Sequence, residues 1–389
     1  AITGIYAIGS LAGRYISTTR FKSHFNVGLG LGVYQILFIL LSLFKNAIFT
    51  NITSLFLLTI SMIFARREIA LLYKSIIKLF KKDYLVLFVL FVVFLPFLSR
   101  LMSPPTSSDG LSFYLPSVEW LYNYGLVFNP YLTGYTTMPQ GTEYFYTLSY
   151  GIGGFSGVRW TDALFTLLLI HLIYSFCRGL MSLVFARLTT ILCLLIPGTF
   201  FFVFGTGKVD TIGIYIVMMG FAFLITNWKI KQLNSIIVLF SISLGVKYTN
   251  WPLIVLPLAF LIFYQLIKQF SFKSIIIAFI PFLFIGPVLI KNKINVNNPL
   301  APLIYNANQS RYVMSHGSSP EPVLNKKVIK KLPGFDKFKI SKKLKYGTLF
   351  FLGLSICWII FRFFPKSALP EAWLWALYLI LSLFPLMPK

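Results

Sequence analysis

Acidic residues are scarce in this chain: ten Asp and Glu stand against 35 Lys and Arg, and charged residues make up only 12 % of 389 positions. Soluble globular domains carry about 25 % charged residues, so that class is excluded. Cysteine is nearly absent. The three present, Cys177, Cys193 and Cys357, lie in apolar surroundings, which rules out a disulfide framework or a cysteine-based metal cluster. His24, His171 and His316 are scattered without metal-ligand spacing, so neither a histidine metal site nor a His-based acid–base pair is expected. The net charge of +25 has no folded soluble module to present it. That excludes nucleic acid as a partner and leaves membrane phospholipids, positive-inside retention and a phosphate-bearing lipid substrate.

Apolar surface is what the chain has in excess. Hydrophobic residues make up 57 % of it, and the mean hydropathy is +0.79. At about 20 apolar residues per crossing, that is enough for about 11 spans. The expected fold is all-α: a polytopic membrane bundle of about 10–12 transmembrane helices, with short amphipathic helices in the first large outer loop.

Composition divides the chain into four parts. Residues 1–83 hold an incomplete apolar stretch (4–16), two better spans (25–44 and 48–65) and a basic amphipathic segment (66–82). That last segment carries Arg66, Arg67, Lys74, Lys78, Lys81 and Lys82 among Ile, Leu and Phe, as expected of a helix on the cytoplasmic membrane face. Residues 84–290 form the transmembrane core, including an outer loop at 99–160 rich in Pro, Gly, Tyr, Ser and Thr. Apolar spacing predicts a surface helix over 110–124, stopped at Gly125, and a second over 142–150. Arg178, Arg187, Lys229, Lys231, Lys268 and Lys273 mark one side of the core; Asp210 and Lys247 fall on the other with the outer loop. Residues 291–345 are basic and extramembrane, with eleven Lys. The span count puts them outside, against the positive-inside rule, but charges far from a span weigh less. Residues 346–389 are read as C-terminal transmembrane helices. The start without Met suits either a processed chain or a fragment, and the end just after an apolar stretch suits truncation before a further domain.

The few acids mark the candidate site. Asp109 follows Pro104-Pro105-Thr-Ser-Ser and begins the first surface helix. There it can cap free helix N–H groups and also act as a general base on an acceptor hydroxyl. Glu143, in Pro139-Gln-Gly141-Thr-Glu143, complements a helix dipole or orients an acceptor or cation together with Asp109. Asp210, after Gly205-Thr-Gly207-Lys208, caps a span or assists substrate binding. Asp162 is read as structural, opening an apolar helix. Lys247 sits in a tight hairpin, Gly245-Val-Lys247-Tyr248-Thr. It either snorkels to the headgroups or holds a phosphate; Arg100, Lys208 and Lys291 are weaker candidates for that role. No motif specifies a cofactor, and a divalent cation stays open.

Five motifs then occur in order: a glycine-rich helix (Gly28, Gly30, Gly32), Asp109 followed by Tyr114-Leu115-Pro116, Pro139-x-Gly141-x-Glu143, Gly245-x-Lys247-Tyr248-Thr249, and Asn298-Pro299-x-x-Pro302. Over roughly residues 25–305 the chain resembles polytopic glycosyltransferases of the GT-C superfamily, those related to protein O-mannosyltransferases and aminoarabinose transferases. The resemblance implies a polyprenyl-phosphate-linked sugar donor, an acceptor modified at the non-cytoplasmic face of a bacterial inner membrane, Asp109 as catalytic carboxylate and Asp210 as a second acid. Lys247, with Arg100 or Lys208, would hold the leaving phosphate. The family often has His where this chain has Leu115, which suits a divergent substrate or a chain that has lost catalysis. Two alternatives follow: an inactive subunit of a larger membrane complex, with partners docking on 291–345, and a lipid or glycolipid transporter.

Overall fold

The computed structural model describes residues 2–13, 21–42, 44, 46–82, 95, 101, 114–126, 138–195, 210–226, 230–247, 250–268, 270–296 and 298–300. All belong to the first of two units, Ala1–Pro320. The readings for Arg100, Asp109, Lys208, the basic segment from 301 to 345 and the C-terminal spans at 346–389 lie outside the described residues.

Every element among them is a helix: α1 (Ile2–Ala12), α2 (Lys22–Ser42), α3 (Ala47–Phe64), α4 (Arg66–Lys82), α5 (Leu115–Tyr124), α6 (Gly141–Arg178), α7 (Leu183–Leu195), α8 (Asp210–Thr226), α9 (Ile230–Val246), α10 (Trp251–Lys268) and α11 (Phe272–Val296). Local chemistry sets several ends. Asn46 caps α3 by accepting from the Phe49 N–H at 2.9 Å, a free donor of the first turn. Pro116 opens α5, and Gly125 closes it at φ 71°, a conformation that glycine adopts without strain.

The all-α expectation agrees with this, but the bundle of 10–12 transmembrane helices resembling the GT-C superfamily does not. Among the described residues only four helices are long and apolar enough to cross a membrane: Lys22–Ser42, Ala47–Phe64, Gly141–Arg178 and Ser274–Ile294. Five other apolar helices, including Asp210–Thr226 and Leu233–Val246, run 10–17 residues. Over their described residues these fall below the 18 residues that the shortest of the four, Ala47–Phe64, reaches. The composition arithmetic counted apolar residues without asking how long each run stays unbroken. Membrane character itself stands. Leu256, Phe260 and Phe263 on α10, and Phe279, Phe282 and Leu283 on α11, are exposed apolar side chains, a surface suited to lipid.

Close approach of helices is built on α2. A Cβ on Gly30 would overlap the Ile5 carbonyl oxygen of α1, and a Cβ on Gly9 of α1 would overlap the Asn26 carbonyl oxygen. On the other face of α2, Gly28 lies against Met219 and Leu239, and Gly32 against Ile242. Glycines at i and i+4 thus admit α8 and α9 while Gly30 admits α1, the small-residue packing used between membrane helices. The space beyond is filled by rings: Tyr34, Phe38, Phe145, Phe165 and Phe223 are fully buried, with Phe145 and Phe165 edge-to-face at 5.6 Å.

α6 is not straight. Its backbone leaves helical geometry at Gly153 (φ −145°) and Gly154 (φ 56°). Beyond the break the chain turns back on itself: Thr161 donates to Ser149 Oγ at 2.7 Å and Tyr146 donates to Asp162 Oδ1 at 3.2 Å. In an unbroken helix those 12- and 16-residue separations would span about 18 and 24 Å. The short surface helix expected over 142–150 is therefore the first limb, and it is buried from Gly141 to Ser149 rather than lying at a surface. Asp162 lies inside the second limb rather than opening a helix, because helix continues through 155–161.

Candidate functional site

Three helix ends converge on Lys247. It is the first residue after α9, Asp210 is the first residue of α8, and Tyr114 precedes α5. Lys247 Nζ forms an ion pair with Asp210 Oδ1. It also donates to the Tyr114 hydroxyl at 3.4 Å and stands 5.4 Å from the centre of that ring. Burial works to depress the Lys247 ammonium, but Asp210 and Tyr114 outweigh it and leave its pKa above the ordinary 10.5. Burial likewise pushes the Tyr114 phenol up, with Lys247 opposing. The lysine is charged, held and only 13 % exposed; Asp210 is 35 % exposed.

The hairpin carrying Lys247 is fixed from behind. Trp251 Nε1 donates to the Leu244 carbonyl at 2.8 Å, and Asn250 Nδ2 donates to Ser243 Oγ at 3.0 Å. Gly141 packs directly on this turn, since a Cβ there would come within 2.7 Å of the Gly245 carbonyl oxygen. Two of the sequence motifs, Pro-x-Gly-x-Glu and Gly-x-Lys, therefore meet glycine to glycine. Glu143, one helical step on, is buried to 1 % exposure and lies in electrostatic range of both Tyr114 and Lys291. Lys291 reaches over from α11 to donate to Gln140 Oε1 at 3.2 Å, and Gln140 Nε2 donates to Ser117 Oγ at 2.7 Å. The result is a polar floor joining α5, α6 and α11 beside the Lys247 pair.

Glu143, Asp210 and Lys247 are thus brought to one place. Asp210 and Lys247, assigned to different roles from sequence, face each other directly. Asp162 belongs to the same neighbourhood through Tyr146, and the sequence could not show this because the fold-back of α6 creates it. Arg159, on the second limb of α6, is buried to 2 % exposure. Among the described residues no three of His, Cys, Asp and Glu gather as metal ligands would. Chemically the site offers an ammonium already paired with a carboxylate, and further buried acids, among apolar helices.

Two of the histidines, far apart in sequence, meet in the fold. His24 Nε2 and His171 Nδ1 lie 2.8 Å apart, and His24 Nδ1 lies 2.9 Å from the Tyr215 hydroxyl. One proton must sit in each of these gaps. The chain is satisfied when Tyr215 donates to His24 and His24 donates to His171, or in the reverse direction. Their separation of 147 residues hid the pair; only tertiary packing reveals it. His24→Leu should leave His171 Nδ1 without this partner and the Tyr215 hydroxyl with only the residue-24 carbonyl at 3.5 Å, and cost about 1–3 kcal/mol. A thermal unfolding midpoint in detergent measures this, and His24→Gln, which keeps a donor and an acceptor, should lose less.

Residues 1–128 match a family model described as "Domain of unknown function (DUF8201)". That match spans α1 to α5, so it contains Tyr114 but not Glu143, Asp210 or Lys247. No curated protein and no solved structure matches the chain.

Proposed function

We propose that this membrane protein transfers a sugar from a polyprenyl-phosphate-linked donor to an acceptor at the non-cytoplasmic face, in the inner membrane of a bacterium. The observation that carries this reading is Lys247, a charged lysine held by Asp210 and Tyr114 at the ends of apolar helices. There it can meet a lipid-borne phosphate. The acceptor hydroxyl attacks the anomeric carbon, the bond from that carbon to the phosphate oxygen breaks, and the proton passes to Asp109. Lys247, with Arg100 or Lys208, balances the charge gathering on the phosphate. Glu143 and Asp210 orient the acceptor or a cation. The ordered motifs support the same reading.

Purified protein given a lipid-linked sugar should transfer it, and Asp109→Asn and Asp109→Ala should each lower the rate by at least about a hundredfold, the lower end of what general-base catalysis contributes. Full activity in both variants removes Asp109 from the mechanism.

The direct pairing of Lys247 with Asp210 favours one second reading, a structural subunit of a larger membrane assembly that uses the pair to tie α8 to α9 and docks partners on 291–345. Its mark would be stoichiometric co-purification with partners, and loss of that assembly, but not of glycan, when the chain is deleted.

A further inference from the structure

The basic helix α4 follows the far end of α3, separated from it only by Ala65 (φ −97°, ψ 19°). The near end of α3 adjoins α5, where Asn51 Nδ2 donates to the Tyr122 carbonyl at 2.8 Å. α3 spans 18 residues, about 27 Å of helix, so α4 lies a membrane-helix length away from α5. Its sequence holds six Lys and Arg and a single acid, Glu68. Its apolar residues are not all covered: Leu71, Tyr73 and Ile77 are 64 %, 52 % and 55 % exposed. A basic amphipathic helix at the end of a membrane helix, with bare apolar side chains, belongs at the boundary of headgroups and acyl chains.

Beneath α4 is a cleft of about 170 Å³ against α1 and α2. Tyr6 and Ser10 of α1, Lys22, Ser23 and Asn26 of α2, and Glu68 of α4 line it, with Leu71 and Leu72 also contributing. The Tyr6 hydroxyl donates to the Glu68 carbonyl oxygen at 3.4 Å, tying α4 to α1. Arg66 and Arg67 are exposed and outside this lining, so they attract any anionic lipid without selecting among them. The cleft itself has one cation, one carboxylate and several hydroxyl and amide groups. A purely anionic headgroup would meet Glu68 unfavourably. One carrying both a phosphate and a primary ammonium matches both charges.

We propose that this cleft is a phospholipid headgroup site of the phosphoethanolamine class. Lys22 and Ser23 take the phosphate, Glu68 takes the ammonium, and the acyl chains run out over the exposed apolar residues of α4. The site is separate from the Lys247 cluster and does not depend on sugar transfer.

The test uses the full chain, delipidated in detergent, with retained lipid read by native mass spectrometry. Phosphatidylethanolamine should be retained over phosphatidylglycerol. Lys22→Glu and Glu68→Gln should each weaken phosphatidylethanolamine retention about fivefold or more, the scale of one charge near a lipid surface. Glu68→Lys should reverse the preference, and Arg67→Gln, outside the cleft, should leave it unchanged. Soluble O-phosphoethanolamine should compete better than inorganic phosphate. Unfolding midpoints of the variants show whether each one folds, and Arg67→Gln carries the comparison for any loss in common. Equal retention of the two lipids by the unaltered chain overturns the proposal. So does phosphatidylethanolamine retention unaffected by both cleft variants, or competition by inorganic phosphate as strong as by O-phosphoethanolamine.

Discussion

Asp210→Asn should destabilise the protein by about 3 kcal/mol, and Lys247→Met by only about 1–2 kcal/mol. Removing one partner of a fully buried ion pair costs about 3–5 kcal/mol, and of an exposed pair about 0–1 kcal/mol. This pair is unequal. Asp210→Asn strands the lysine, 13 % exposed, whereas Lys247→Met strands a carboxylate that water reaches at 35 % exposure. The double variant should recover most of the loss because no charge is left alone. Binding of a phosphate-bearing lipid should move the other way. Asp210→Asn frees the ammonium and tightens it, while Lys247→Met and the double variant abolish it. Thermal unfolding and donor retention on the same samples separate the two effects. Lipid affinity unchanged in Lys247→Met would count against a phosphate role for this lysine while leaving its structural role intact. The lysine's pKa is raised above 10.5 in the fold, so the pair's stabilisation is fully present below pH 10.5. It is lost only as pH rises through the higher folded value.

Gly30→Ala should have a large effect on stability alone. Its new methyl would overlap a backbone oxygen, Ile5 O, which has no rotamer to escape into. Either α1 lifts from α2 or α2 bends. Overpacking of flexible cores costs about 1–3 kcal/mol, and a backbone obstacle puts this variant at or above about 3 kcal/mol. Gly286→Ala in α11 is the control, because a Cβ there meets nothing within 4 Å. It precedes Pro287, whose ring opposes a Cβ in helical geometry, so no gain from helix propensity is expected and its midpoint should stay near that of the unaltered chain. Equal midpoints for the two variants would show that α1 does not pack on α2 as described.

Local signals carried what the sequence revealed. The basic amphipathic character of 66–82 coincides with α4, the stop at Gly125 ends α5, and the glycine-rich motif is the stripe along which α2 meets α1, α8 and α9. Lys247 drew attention because a lysine in a tight Gly-x-Lys hairpin between apolar runs needs a reason. Three features stayed hidden, each because a distance in space is not a distance in sequence. Asp210 and Lys247 are 37 residues apart and meet only when α8 and α9 pack. His24 and His171 meet only through α2 and α6. Asp162 joins Tyr146 only because two glycines turn α6 around. Among the described residues the membrane-length helices are fewer for a different reason: apolar content measures how much surface must be hidden, while a span requires that content in one unbroken run.

The turn in α6 also bears on the order in which the molecule assembles. Its internal hydrogen bonds close loops of 12 and 16 residues, whereas the His24–His171 contact closes one of 147. By chain entropy the long closure costs about 2 kcal/mol more than the shorter of the two local ones. The two limbs of α6 can therefore pair before α2 docks, and offer it a preformed surface on which His24 meets His171.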